Sequence, residues 1–128
     1  MAEPVRFEGY ASVFGVVDSQ NDIMMPGAFA GVEIDRLSLL IHHSWDMGGI
    51  GRVLEVSEDA TGLRVVGEVD CPVWVFKLMG GLSIGYVPRR YVREDGVRRL
   101  YEVELVEISL TPVPSNYRAL VDKIDYPG

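Results

Sequence analysis

The chain has 128 residues, 48% of them hydrophobic and 24% charged, a balance typical of one globular domain with a hydrophobic core. The net charge of −7 argues against nucleic acid as a partner, because phosphate binding needs concentrated lysine and arginine. The single cysteine, Cys71, excludes an internal disulfide framework, and no apolar run approaches the ~20 residues that span a membrane.

Short β-strands separated by turn signals dominate the first half of the chain. Residues 5–17 are rich in β-branched and aromatic side chains and predict a strand that ends at a polar turn over residues 18–22, in which Asp22 is expected to lie. Residues 26–31 begin with a proline and predict one or two helical turns. Residues 36–43 predict a second strand, and residues 50–70 predict a hairpin that turns at about Asp59–Gly62.

The second half predicts another hairpin between two possible helices. Residues 82–110 form the hairpin, which turns at Asp95-Gly96, a strong hairpin signal. Residues 72–79 run from a proline to a glycine pair and are apolar except for Lys77, so they predict a short buried helix, although a strand fits so short a run as well. Residues 115–124 predict a short helix capped by a serine or an asparagine.

These elements predict one fold class for the whole chain. About six mostly antiparallel strands in one small domain indicate a mainly β protein, in which a small β-barrel or a folded-over sheet carries short peripheral helices. Residues 1–128 are therefore expected to form a single domain.

One predicted strand has a face on which a serine, Ser83, stands between two glycines. In GGLSIG, strand alternation puts Gly81, Ser83 and Gly85 on one face, and that face carries no other side chain. Glycine within a strand often marks the close approach of a ligand or of another backbone. A strand serine is usually structural, so Ser83 becomes a candidate nucleophile only if a base reaches it.

The two histidines stand together at the end of the strand 36–43. Alternation places His43 on the more apolar face, pointing inward or into a cleft, and His42 on the opposite face. A metal site formed by His42, His43 and Asp46 is disfavoured, because neighbouring strand residues point in opposite directions. His43 is either a hydrogen-bonded core histidine or a catalytic base.

Glu107 is a carboxylate in a strand that is apolar on both faces from about Leu105 onward. Burying a charge there is costly unless a partner accepts it. That partner is either an arginine, which would make the role structural, or a histidine whose tautomer the carboxylate fixes. A serine, a histidine and a buried acid are the set that nucleophilic acyl transfer requires.

Five segments in this order resemble one family. They are FEGYASVFGVVDSQNDIMMPGAF, LLIHHSWDMGGIGRV, GLRVVGEV, GLSIGYVP and LVEISLTPVPSN. The chain is similar over nearly its whole length to the prohead (capsid-maturation) serine proteases of tailed phages, which are distantly similar to the herpesvirus assemblins. The resemblance implies an assemblin-like β-barrel core with outer helices, and by comparison with this family the connections near 31–36 and 69–73 are short.

The resemblance also implies a function. The chain would be a serine endopeptidase that cleaves capsid and scaffold proteins, and itself, inside the assembling procapsid in the host cytoplasm. Its nucleophile would be Ser83, its base His43 and its third member Glu107. No cofactor, metal, nucleic acid or membrane is implied, and a homodimer or other homo-oligomer is expected.

Some assignments around the site remain open at this stage. Gly81 and Gly85 would leave room for a substrate strand beside the serine. The oxyanion donors would be backbone N–H groups, with Arg89 or Arg90 assisting, although both arginines also fit the solvated end of a hairpin. Alternatives for the whole chain are a non-catalytic capsid-assembly module on the same fold and a small-molecule esterase or amidase.

Overall fold

The computed structural model of the chain describes residues 4–43, 51–70 and 75–125. Within these ranges the chain consists mainly of β-strands, which confirms the predicted fold class. The strands are β1 (Val5–Val13), β2 (Asp22–Met24), β3 (Ser38–Ile41), β4 (Gly51–Glu58), β5 (Gly62–Val69), β6 (Gly81–Glu94), β7 (Val97–Thr111) and β8 (Val121–Asp125). A single-turn helix, α1, spans Val75–Leu78, and a 3-10 helix spans Ile34–Arg36.

The strands form two four-stranded sheets. One has the order β4-β5-β1-β8 and is antiparallel throughout. In the other, β7 pairs with β6 antiparallel on one edge and with β2 and β3 in parallel on the other edge. The long strand β7 therefore organises this second sheet, because three other strands depend on it for their hydrogen bonds.

The predicted closed barrel is wrong for the described residues, and the alternative of a folded-over sheet fits better. Leu82 donates its backbone N–H to the carbonyl of Ala119 at 2.8 Å, and Val121 donates to the carbonyl of Gly80 at 2.9 Å. These bonds join the two sheets along one side. No ladder joins β3 to β4 on the other side of the part described, so the sheets do not close on themselves.

Both predicted hairpins are confirmed, and the turn residues explain them. In the first hairpin, the side-chain carboxylate of Asp59 accepts the backbone N–H groups of Thr61 and Gly62 at 2.8 and 3.1 Å. In the second, Asp95 and Gly96 have φ angles of 53° and 77°. Two consecutive positive φ angles give the turn whose twist matches that of the flanking strands.

The predicted helices in the first two segments are absent or shorter than expected in the part of the chain that the structure describes. Residues 26–31 form successive tight turns, in which Ala28 bonds to Met25 and Ala30 to Gly27, instead of a helix. Of the predicted helix 72–79, α1 covers Val75–Leu78, and residues 72–74 lie outside the described ranges. Among the described residues, no helix combines the length and the apolar character needed to cross a membrane.

The C-terminal prediction of a helix over 115–124 is wrong. Asn116 donates its side-chain amide to the carbonyl of Val13 at 2.9 Å, which holds this segment against β1. The chain then enters β8, which pairs antiparallel with β1. Tertiary pairing overrides the local helix signal here, because a free edge of β1 is available to the last segment.

The hydrophobic core lies between the two sheets. Each sheet contributes side chains that are fully buried, among them Phe7, Leu63, Leu82, Leu100 and Ile108. From Glu107 to Thr111, β7 is buried on both faces, as the sequence predicted. This burial removes water from the strand that carries the candidate acid.

A buried ion pair ties β2 to β6 and β7. The carboxylate of Asp22 is 2% exposed and accepts hydrogen bonds from Arg98 Nε and Nη2 at 2.8 and 2.9 Å. The hydroxyl of Tyr86 donates to the same carboxylate. The sequence interpretation had placed Asp22 in a polar turn, which is wrong, because the parallel register sets it directly opposite Arg98.

The environment of Asp22 changes its titration. Burial by itself raises the pKa of Asp22, but the hydrogen bonds from Arg98 and Tyr86 outweigh it, so the pKa lies below its ordinary value of 3.8. Burial and the neighbouring carboxylate raise the pKa of Tyr86, so its hydroxyl stays protonated as a donor at neutral pH. The ionised form of Asp22 therefore stabilises the fold above pH ~3.8, and this contribution is lost as the pH falls through the lowered pKa.

We expect Asp22→Asn to lower the free energy of unfolding by about 3 kcal/mol at pH 7, because it leaves the guanidinium of Arg98 without its anion. The difference from the wild type should narrow below pH ~3.8, since only the wild type loses an ionised carboxylate there. Urea unfolding at pH 7 and pH 3 measures both. The exposed Asp35→Asn is the control, and equal effects of the two variants would contradict the prediction.

Candidate active site

The antiparallel register of β6 and β7 brings two candidate residues onto neighbouring positions. Ser83 lies directly opposite Ser109, and Gly85 lies directly opposite Glu107. Ser83 and Glu107 are therefore diagonal neighbours on one face of the hairpin. Both are buried, at 7% and 5% exposure. A side chain on the same face of the hairpin, between these two positions, can contact both Ser83 and Glu107.

His43 provides that side chain. The strand β3 pairs in parallel with β7 and places Leu40 opposite Ser109, so the end of β3 lies beside the diagonal. The strand ends at Ile41, and His42 and His43 follow with φ angles of 47° and 60°, in the left-handed region. This conformation turns the chain over the hairpin, whereas the sequence had predicted a strand through residue 43.

The turn also changes the position of His42. Alternation along a strand had predicted that the two imidazoles point in opposite directions, and this is wrong. Both rings line one cavity, with centroids 6.4 Å apart, and His42 Nδ1 lies 2.9 Å from Thr111 Oγ1. The strand rule fails at this position because the residues are no longer extended.

The three predicted side chains lie within hydrogen-bond distance. His43 Nε2 is 3.1 Å from Ser83 Oγ, and His43 Nδ1 is 2.7 Å from Glu107 Oε1. An ionised carboxylate only accepts hydrogen bonds, so Nδ1 carries the proton in this pair and Nε2 presents its lone pair to the serine. This arrangement has the geometry of a nucleophile, a base and an orienting acid.

Ser109 joins this group, and the sequence interpretation did not include it. Its hydroxyl donates to Glu107 Oε2 at 2.5 Å and accepts the backbone N–H of His43 at 3.1 Å. A usable signal was present, because Ser109 stands two residues after Glu107 and strand alternation puts both on one face.

Gly81 and Gly85 have neighbours within the chain. A Cβ at Gly85 would lie 2.5 Å from Glu107 Cγ, and a Cβ at Gly81 would lie 2.7 Å from Pro114 Cδ. Other parts of the same chain thus occupy the space beside these two glycines. Gly85 in particular allows the Glu107 side chain to reach across the hairpin toward His43.

Arg89 and Arg90 do not lie at the site. Arg89 Nη2 bonds to Glu104 Oε2 at 2.9 Å, and Arg90 stacks over the ring of Tyr101 at 5.4 Å. Both are exposed, and Arg89 is about 20 Å from Ser83 along an extended strand. The two arginines therefore fit the alternative of solvated charges on the hairpin, and neither is placed to act as an oxyanion donor. Arg98 is the arginine that lines the groove beside His43.

Two depressions include His43 in their lining. One is a cavity of about 230 Å³, whose lining includes Ser83 and Leu82 as well as the loop residue Asp18. The other is a groove of about 350 Å³ lined by Gly85 and Glu107 among others. His43, Ile84 and Tyr86 line both, so the cavity and the groove adjoin at the candidate site.

The described residues contain no group of three histidine, cysteine or acidic side chains arranged to hold a metal ion. Asp46, the third residue of the metal site considered from the sequence, lies outside the described ranges.

Comparisons with known proteins show which family the chain resembles. The family model of the caudovirus prohead serine protease matches residues 2–126. A prohead protease of Enterobacteria phage HK97 is 37% identical over 67 residues, which are 49% of this chain and 29% of the phage protein. This chain therefore spans less than a third of that relative.

Two herpesvirus proteases share the fold. The structure of KSHV protease in complex with a hexapeptide phosphonate inhibitor matches with a TM-score of 0.70 and 12% identity, over 98% of this chain and 66% of that one. The varicella-zoster virus protease matches with a TM-score of 0.50 and 15% identity, over 80% of this chain and 58% of that one. At these identities the likeness concerns the fold alone, and it fits the predicted assemblin-like class.

We expect Gly85→Ala to displace the Glu107 carboxylate, because the added methyl would lie 2.6 Å from Oε1. The variant should lose about 1–3 kcal/mol of stability and the hydrogen bond between Glu107 and His43 Nδ1. Urea unfolding measures the first effect, and the low-field proton signal of Nδ1–H in NMR measures the second. Gly31→Ala is the control, because a Cβ there meets nothing within 4 Å. An unchanged Nδ1–H signal in Gly85→Ala would refute this expectation.

Proposed function

The chain belongs to the caudovirus prohead serine protease family, and from this membership we propose that it is a serine endopeptidase of procapsid maturation. The observation that carries the proposal is the contact of one imidazole with both the Ser83 hydroxyl and the Glu107 carboxylate. A non-catalytic assembly module would have no need for a base aligned on a serine hydroxyl.

Ser83 acts as the nucleophile in this proposal. Its Oγ attacks the scissile carbonyl carbon while His43 Nε2, 3.1 Å away, takes the hydroxyl proton. The resulting imidazolium then gives that proton to the leaving amine, and an acyl-enzyme remains. Water attacks the acyl-enzyme, His43 again removes and returns a proton, and Ser83 is regenerated.

Glu107 acts on the imidazole and not on the substrate. Its carboxylate accepts the Nδ1 proton of His43, which keeps the lone pair of Nε2 directed at Ser83 and stabilises the imidazolium that forms. Because the carboxylate is 5% exposed, water competes little for this hydrogen bond. Backbone N–H groups near Ser83 serve as the oxyanion donors.

The substrate in this proposal is an extended polypeptide. An extended chain passing over Ser83 has room in the cavity and in the adjoining groove. An esterase for small molecules would need a single enclosed pocket. We propose capsid and scaffold proteins, and the enzyme's own chain, as the substrates, cleaved inside the procapsid in the host cytoplasm.

The wider organisation is proposed on the same basis. The chain acts as one protease domain, and it pairs with a second copy to form a homodimer or other homo-oligomer. Leu78 in the largely apolar segment that forms α1 is 60% exposed, and pairing through this helix would cover it.

We expect Ser83→Ala to abolish covalent labelling by a fluorophosphonate probe and His43→Ala to slow it by at least ~10³-fold, because the hydroxyl needs its base. Turnover of a capsid or scaffold substrate should fall by roughly 10⁴- to 10⁶-fold in Ser83→Ala. Mass spectrometry locates the labelled residue. The exposed Ser57→Ala on β4 is the control and should label like the wild type.

The outcomes separate the alternatives. Labelling that persists in Ser83→Ala would overturn the assignment of the nucleophile. A wild-type chain that does not label at all would instead support the non-catalytic assembly module. Labelling without cleavage of any protein substrate, together with turnover of small esters, would support the esterase.

We expect Glu107→Gln to keep the shape of the site but to lower the labelling rate by about 10³- to 10⁴-fold. The amide donates as well as accepts, so it no longer dictates the tautomer of His43. Stopped-flow labelling measures the rate, and Glu104→Gln on the same strand is the exposed control. A rate within a few-fold of the wild type would remove Glu107 from the proposed triad.

A further inference from the structure

A buried hydroxyl connects the backbone of His43 to the carboxylate that orients its ring. Ser109 is 0% exposed, and its Oγ donates to Glu107 Oε2 at 2.5 Å while it accepts the His43 backbone N–H at 3.1 Å. Glu107 Oε1 in turn accepts from His43 Nδ1 at 2.7 Å. The bonds therefore form a closed ring that begins and ends on the same histidine.

His43 needs this support for two reasons. Its side chain is 42% exposed, so packing alone does not hold the imidazole in one rotamer. Its φ of 60° lies in the left-handed region, which residues other than glycine occupy only when surrounding contacts maintain it. The hydrogen bond from the His43 backbone N–H to Ser109 maintains the backbone conformation, and the hydrogen bond from Nδ1 to Glu107 holds the rotamer of the imidazole.

The hydroxyl also determines the position of the carboxylate. Glu107 Oε1 accepts from His43 Nδ1, and Glu107 Oε2 accepts from the Ser109 hydroxyl. A carboxylate held through both oxygens has a fixed plane, and its Oε1 lone pair then points at Nδ1. Without the second bond the carboxyl group turns about its last torsion, which is a soft one.

We propose that Ser109 is a positioning residue, which locks both the turn that carries His43 and the carboxylate that orients its imidazole. This inference rests on the proposed function for its catalytic meaning. Ser109 itself touches no reacting atom. It acts through His43 and Glu107, and its loss would let the imidazole leave Ser83 while the sheet remains intact.

The first test compares labelling rates. In Ser109→Ala we expect fluorophosphonate labelling of Ser83 to slow by roughly 10- to 100-fold, the effect of losing hydrogen bonds to a charged group and to the turn. Ser109→Thr retains the hydroxyl at a strand position that tolerates β-branching, and it should restore most of the rate. Ile108→Val is the matched control, because it alters an equally buried residue on the other face of β7.

The second test does not depend on catalysis. In the Ser83→Ala background, ¹⁵N NMR of the imidazole reports which nitrogen of His43 carries the proton. We expect one tautomer, protonated at Nδ1, when Ser109 is present, and a mixture of tautomers with a weakened Nδ1–H signal in the Ser109→Ala double variant. A purely structural role for Ser109 would lower stability without changing this spectrum.

The outcomes distinguish the two proposals. If Ser83→Ala still labels, the assignment of Ser83 as the nucleophile in the proposed function fails whatever Ser109 does. If Ser83→Ala is inert while Ser109→Ala labels at the wild-type rate with an unchanged His43 spectrum, only the positioning role of Ser109 is overturned. If Ser109→Ala unfolds, the Ser109→Thr variant decides the question. A folded Ser109→Thr variant that shows a mixture of His43 tautomers would contradict the proposal.

Discussion

The antiparallel ladder between β6 and β7 is the constraint on which the candidate site depends. Its register sets Ser83 opposite Ser109 and Gly85 opposite Glu107, so a hydroxyl and a carboxylate become diagonal neighbours on one buried face. The parallel pairing of β3 with the other edge of β7 then places His43 within reach of both Ser83 and Glu107. A slip of one residue in the register would turn either side chain to the opposite face. The tight turn at Asp95-Gly96 sets the register at the far end of the hairpin, and irregularities near Arg90 and between Gly85 and Tyr86 shift it by one residue before the strands reach the site.

Polar groups inside the second sheet are paired, and each pairing also fixes a position. The ring of bonds through Ser109 holds the histidine turn, and the contact of Asp22 with Arg98 and Tyr86 ties β2 to the middle of the hairpin. Within the described residues, no buried side-chain nitrogen or oxygen lacks a hydrogen-bond partner. A buried network that is fully satisfied specifies one arrangement, because each alternative leaves a desolvated group unpaired. The site is thus rigid on its protein side, while the cavity and the groove leave space for a substrate.

Much of this could be predicted from local patterns. The mainly β class, both hairpins with their turns and the double-sided burial of β7 at Glu107 follow from alternation and turn chemistry, and they are confirmed. The order of the motifs identified the family, which is confirmed as well. The catalytic roles of Ser83, His43 and Glu107 stay predictions, but the hydrogen bonds among these residues are those that such roles require. The predicted helix at 115–124 and the β-barrel were wrong, since each depends on which edge or face a distant segment occupies. An oxyanion role for Arg89 or Arg90 does not fit, because both are exposed and Arg89 lies about 20 Å from Ser83 along β6.

The sequence alone determined the residue types and their alternation, because the period of a strand is a property of the local backbone. It thereby selected a serine, a histidine and an acid as candidates, each in an apolar setting where a polar group needs a partner. Only the tertiary structure decided how they meet. The two left-handed residues at the end of β3 bring both histidines to one cavity, and the pairing of β7 with β3 and β6 turns Ser109 into a link between His43 and Glu107. Such contacts join residues 40 to 66 positions apart, and no local pattern in a chain encodes the register in which distant strands pair.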